Sequence, residues 1–127
     1  MSFIYSLLLS TILALNWQVE VPFNDIEKGF IHNNASQIAD YAKDKVLINI
    51  LGKEGAYSQQ QSVLVLKEFF TKKPGSDFKF THKGKQSNDS SFGIGTYSSK
   101  DEKFRVTIHL KKMNTEYKIE SLTIEKN

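Results

Sequence analysis

With 127 residues, 39% of them hydrophobic and 12% aromatic, the chain has material for one hydrophobic core but not for two. Seventeen basic side chains against fourteen acidic ones leave a net charge of +3, too slight and too evenly spread to build a nucleic-acid surface; Arg105 is the only arginine, the side chain whose planar fork best reads phosphates and bases. The absence of cysteine excludes disulfides, thiolate metal centres and a lipidated N-terminal cysteine.

In chain order the first feature is Phe3 to Leu15, an uncharged apolar run of about the length of a signal-peptide core and short for a membrane-spanning helix. It predicts residues 1–20 as a cleaved export signal, with an uncleaved anchor and a packed helix as alternatives. The mature protein is then expected in the periplasm or cell envelope, without membrane insertion, as one domain over 21–127.

Pro22 suits a helix start, and Phe23, Ile26 and Phe30 share a helical face. Asn33 and Asn34 interrupt that pattern, and Ala35, Ile38, Ala39 and Ala42 resume it, with Asn34 as a cap for a second helix. Val46 to Leu51 reads as a strand closed by Gly52, and Gly52 to Tyr57 as a loop. Ser58 and Gln61 form a capping-box pattern before a third helix, where Val63, Leu66, Phe69 and Phe70 share a face and Pro74 and Gly75 mark the end.

From Asp77 the period changes to two. Phe78, Phe80 and His82 are predicted on one strand face, and residues 83–91 as a loop or long hairpin turn. In the next strand Phe92, Ile94 and Thr96 oppose Gly93, Gly95 and Tyr97, and the alternating glycines signal bending or close approach by another group. Phe104, Val106, Ile108 and Leu110 are expected inward, opposite Arg105, Thr107, His109 and Lys111. In the last strand the apolar phase slips between Tyr117, Ile119 and Leu122, Ile124, which predicts a β-bulge near Glu120 and Ser121. Helices and half-buried strands must cover each other's apolar sides. The fold class is therefore α+β, three helices packed on a strongly curved, mostly antiparallel sheet that forms a cone.

That element order resembles the nuclear transport factor 2-like, or cystatin-like, superfamily, which holds isomerases, dehydratases and non-enzymatic binding modules. Within it, Glu54-Gly55-Ala56-Tyr57-Ser58, His82-Lys83-Gly84, Ile94-Gly95-Thr96-Tyr97 and Phe104-Arg105-Val106 are similar to the recurring phrases of an uncharacterised family of small exported bacterial proteins. The resemblance runs from Val21 to Glu125 and departs at Asn33-Asn34, where the family has a glycine before the asparagine. It implies a fold but no activity.

Four residues are candidates to line a ligand pocket: Glu54 and Tyr57 in the glycine-bearing loop, His82 beside the phenylalanines of its strand, and Tyr97. A pocket histidine can move protons, although a histidine at the edge of a core more often serves a hydrogen bond. Asp40 and Asp44, read on a helix face, are the acids that Tyr57 or Tyr97 could assist in enolising a carbonyl compound, as in isomerases of this superfamily; both also fit a solvated surface. The three histidines have no metal-ligand spacing, and no cofactor motif is present. Tyr97, Arg105, Thr107 and His109 are placed on the face turned from the core, a candidate homodimer surface. The function read from this pattern is a non-enzymatic, exported binding or scaffolding module for a small molecule or protein, using the cavity between sheet and helices or the outer sheet face. The alternative is a small pocket enzyme of isomerase, dehydratase or hydrolase type with a carboxylate base.

Overall fold

A computed structural model describes residues 19–127, so the predicted signal segment lies outside the described residues. Helix α1 (Phe23–Ile31) follows Pro22 and buries Ile26 and Phe30 completely. Asn33 adopts the left-handed conformation at φ 52°, which asparagine tolerates better than other side chains, and so serves where glycine is expected. Asn34 then caps helix α2 (Ala35–Ala39), its side chain accepting from the Gln37 amide at 3.1 Å.

This second helix is shorter than the sequence pattern suggests. Ile119 donates its amide to Tyr41 O at 2.6 Å, drawing the chain into the sheet, and strand β1 (Ala42–Ile50) already contains Ala42 and Asp44. Asp44 therefore lies on a strand, not on a helix. The segment read as a loop is a strand too, β2 (Lys53–Tyr57), paired antiparallel with β1 from Val46↔Tyr57 to Ile50↔Lys53. Its two-residue turn, Leu51 at φ 53° and Gly52 at φ 90°, has the doubly positive φ that matches strand twist. A leucine in place of the usual asparagine or aspartate hid that hairpin from sequence reading.

Helix α3 (Gln59–Lys72) begins with the expected capping box: Ser58 Oγ accepts from Gln61 N and the Gln61 side chain accepts from Ser58 N. It buries Leu66, Phe69 and Phe70. Strands β3 (Asp77–Ser87), β4 (Ser90–Ser99), β5 (Glu102–Met113) and β6 (Glu116–Lys126) follow, the first two extending through most of the predicted 83–91 loop. The six-stranded sheet runs β2-β1-β6-β5-β4-β3, with β1 and β6 parallel and every other pair antiparallel.

Two of the sheet's register shifts decide which side chains face the core. Opposite β5, His109 faces Ser121 while Leu110 faces Ile119, so Glu120 is the extra residue of the bulge that the phase slip predicted. In β3, Phe80 faces Gly95 while His82 faces Ile94, so Thr81 is an extra residue as well. That second bulge flips the phase. Phe78 and Phe80 stay in the core, but His82 turns outward and is exposed, correcting its expected place beside them.

Phe104, Val106, Ile108 and Leu110 are at most 1% exposed and form the contribution of β5 to the core. Strand β4 presents Gly93, Gly95 and Tyr97 to the same side. A Cβ on Gly95 would lie 2.6 Å from Phe78 and one on Gly93 2.7 Å from Phe23, so these glycines are the floor on which aromatic rings lie. At the sheet edge, Glu27 of α1 accepts the Phe80 amide at 3.3 Å, occupying one of the free donors of β3.

Candidate functional site

The inside of the cone is filled with rings. Phe30 stacks on Phe78 with centroids 4.6 Å apart and meets Phe70 edge-on at 5.7 Å, while Phe69 contacts Tyr97 and Phe104 at 5.6 and 5.5 Å. A gap between α2, α3, β1 and β6 is about 10 Å³ and walled by Ile38, Val46, Leu66, Ile119 and Leu122. It has room for no ligand.

Tyr97 is fully buried, which corrects its placement on the outer face and removes it from any dimer surface. Its hydroxyl donates to Lys73 O at 2.7 Å and accepts from Asn33 Nδ2 at 3.0 Å. Asn33 also donates to Phe30 O at 2.9 Å and accepts from the Gly75 amide at 3.1 Å, and Ser99 Oγ donates to Pro74 O at 2.6 Å. The result is a polar knot tying the α1–α2 turn, the α3–β3 loop and β4 together. Burial pushes the Tyr97 phenol above its ordinary pKa, opposed by the hydrogen bond from Asn33 and by the nearby Gly75 amide.

Concave space between sheet and helix lies to one side of the filled cone. A pocket of about 200 Å³ opens between the β1–β2 hairpin and the C-terminal half of α3, with Ile50, Leu51, Tyr57, Val65 and Phe69 as its apolar walls and Lys53, Glu68, Lys72 and Lys73 around them. Alternation along β2 explains what reaches it: Lys53, Gly55 and Tyr57 share one phase, and Glu54 is exposed in the other. Tyr57 can fold back across its strand because residue 55 has no side chain; a Cβ there would lie 2.7 Å from the phenol ring. Of the four pocket candidates, Tyr57 alone lines this pocket. His82 borders a separate open depression on the outer sheet face with Thr81, Ile94, Thr96, Arg105 and Thr107, its Nδ1 3.2 Å from Thr81 Oγ1.

Charge around the pocket is mostly paired. Lys72 donates to Glu68 at 2.9 Å, a hydrogen bond that holds the Glu68 carboxyl below its usual pKa, and Lys73 does the same to Glu102 at 2.5 Å. Lys53 has no ion-pair partner among the described residues.

No hydrogen bond joins Asp40 or Asp44 to Tyr57 or Tyr97 among the described residues, and both aspartates are exposed. A carboxylate–tyrosine pair does form elsewhere: Tyr41 donates to Asp25, and that bond, reinforced by burial, pushes the Tyr41 phenol up to about 12. A phenol so held stays protonated and cannot serve as a base near neutrality. Sequence spacing carried no sign of this pair, because Tyr41 sits in an irregular turn between helix and strand. Among the described residues no group of three histidine or acidic side chains is arranged to hold a metal, and no helix is long and apolar enough to cross a membrane.

Helices on one side of a bent six-stranded sheet define the cystatin-like, NTF2-like class of folds, and solved structures agree. A domain of unknown function with a cystatin-like fold from Nostoc punctiforme superposes with TM-score 0.66 at 8% identity over 83% of this chain and 72% of that one. An NTF2-like protein of unknown function from Shewanella baltica gives 0.64 at 10% over 83% and 87%. Residues 23–125 match the family described as "Domain of unknown function (DUF4783)", and the chain belongs to that family. A family member of known structure, from Bacteroides ovatus, is 32% identical with TM-score 0.80, over 87% of this chain and 98% of that chain. No curated protein matches the sequence.

Proposed function

We propose that the protein is an exported, non-enzymatic binding module that takes a small molecule in the pocket between the β1–β2 hairpin and α3. What carries the reading is the contrast between two spaces. The cone, where enzymes of this fold class would need convergent acids and donors, is packed with phenylalanine; the lateral pocket is apolar, preformed and ringed by lysine. Purified from its own cells and sprayed under native conditions, the protein is expected to carry a small organic molecule and to begin near residue 20. Retention of Met1 in a cytoplasmic fraction would overturn export, and a bare protein that stays bare in a concentrated metabolite extract would overturn binding.

A second reading, homodimerisation through the outer sheet face, has its own support. Phe92, His109, Ser121 and Leu47 form one cross-strand row there, and Ile94, Thr107, Thr123 and Asn49 the next. In a chain that is 24% charged, none of these eight positions holds Asp, Glu, Lys or Arg, and depletion of charge marks the middle of an interface. Light scattering should give twice the monomer mass for the wild type and the monomer mass for Thr107→Lys; a wild-type monomer at millimolar concentration removes the reading.

A further inference from the structure

We infer that the pocket beside α3 is built for a small monocarboxylate with an apolar body, with Lys53 receiving the carboxylate; this rests on the reading of that pocket as a ligand site. Size comes first. The cleft is about 200 Å³ and open to solvent on one side, below the ~300–1,000 Å³ usual for drug-sized ligands, so it suits a small one. Four of the walls, Ile50, Leu51, Val65 and Phe69, offer only hydrocarbon, and the fifth, Tyr57, adds a single phenol hydroxyl to its ring, so most of the ligand's body has to be apolar.

The polar end is set by the surrounding charges. Glu68 and Lys72 satisfy each other, and Lys73 is held by Glu102. Lys53 is the pocket cation with no partner within ion-pair distance among the described residues, on the strand phase that faces the cavity, although its charge also helps to hold the Glu68 carboxyl down from farther off. A singly charged anion matches it. A cationic ligand would be repelled by it, and a phosphate monoester or dicarboxylate would need a second free cation.

The hairpin tip adds an independent indication. Leu51 occupies a left-handed position that asparagine, aspartate or glycine would fill with less strain, and as a leucine it remains 45% exposed while extending the pocket wall. The tip is nonetheless fixed. The Leu51 amide donates to Ile124 O at 2.9 Å and the Gly52 amide to Asn49 Oδ1 at 3.1 Å, so the wall is in place before a ligand arrives and little ordering entropy is lost on binding.

Octanoate titrated into the purified protein, followed by NMR, tests this against 1-octanol as its neutral counterpart. Octanoate is expected to shift the Lys53, Tyr57 and Val65 resonances saturably, octanol to bind roughly tenfold more weakly for want of the charge-assisted hydrogen bond, and Lys53→Gln to bring octanoate down to the octanol level. Lys53 is exposed, so the variant should melt like the wild type. Equal binding of octanoate and octanol, or an undiminished preference in Lys53→Gln, overturns the carboxylate assignment and leaves the pocket as a ligand site. Failure of both probes to shift the pocket resonances overturns the assignment together with the reading beneath it.

Discussion

Replacing Phe30 with alanine should remove about 3–5 kcal/mol of folding free energy, the range for deleting a fully buried aromatic ring. Phe30 is 0% exposed and touches Phe70, Phe78 and Tyr97, which belong to α3, β3 and β4, so its ring joins three elements that are remote in sequence. Neighbouring rings are themselves packed against glycines and other aromatics and have little freedom to close the void. A loss of this size is a large part of the ~5–15 kcal/mol that a small domain possesses. Urea unfolding measures it through the midpoint at unchanged slope. A shift worth less than about 1 kcal/mol would show that the core can collapse onto the site, contrary to the packing described.

The second large effect is expected at Gly75. An alanine Cβ there would lie 2.1 Å from Ser98 O, a backbone atom of β4 that cannot swing aside, and close to the Tyr97 phenol as well. Either the strand or the α3–β3 loop has to move, and movement of the loop stretches the Gly75 amide bond to Asn33 and the Tyr97 bond to Lys73 O. Overpacking costs about 1–3 kcal/mol and a buried donor or acceptor left unpaired about the same again. Gly75→Ala is therefore expected to lose about 3 kcal/mol or more. Tyr97→Phe, which keeps the ring and removes only the hydroxyl, should lose about 1–3 kcal/mol. If Gly75→Ala unfolded within about 0.5 kcal/mol of the wild type, the knot would not be holding the loop.

How far the sequence could be read depended on whether the controlling interaction was local. The Ser58–Gln61 box, the Asn34 cap, the slip at Glu120 and the inward set from Phe104 to Leu110 each express a short-range rule, and each was legible. His82 was misplaced because the extra residue at Thr81 is decided by pairing with β4, and alternation alone carries the phase of Phe78 and Phe80 straight through it. For Tyr97 alternation allows two incompatible places, pocket and outer face, because its nearest neighbours in phase, Gly93 and Gly95, have no hydrophobicity with which to declare a side. The hairpin strand β2 was missed for lack of an apolar alternation and because Leu51 is an unusual residue for its turn. Of the residues that line the candidate pocket, only Tyr57 stands out in the sequence, through its glycine-bearing context. Lys53, Val65 and Phe69 do not, since their meeting depends on how α3 lies against the hairpin.

The strand order has a bearing on how the protein is made. β6 is the last strand in the chain, yet it sits between β1 and β5, so the hairpin half and the meander half of the sheet have no direct pairing with each other. Until those closing residues leave the ribosome, the two halves cannot be stitched into one layer, and the long-range parallel pairing of β1 with β6 is of the slow kind. The sheet becomes one layer only when its final element docks, so a chain cut short before β6 is left as two separate pieces of sheet.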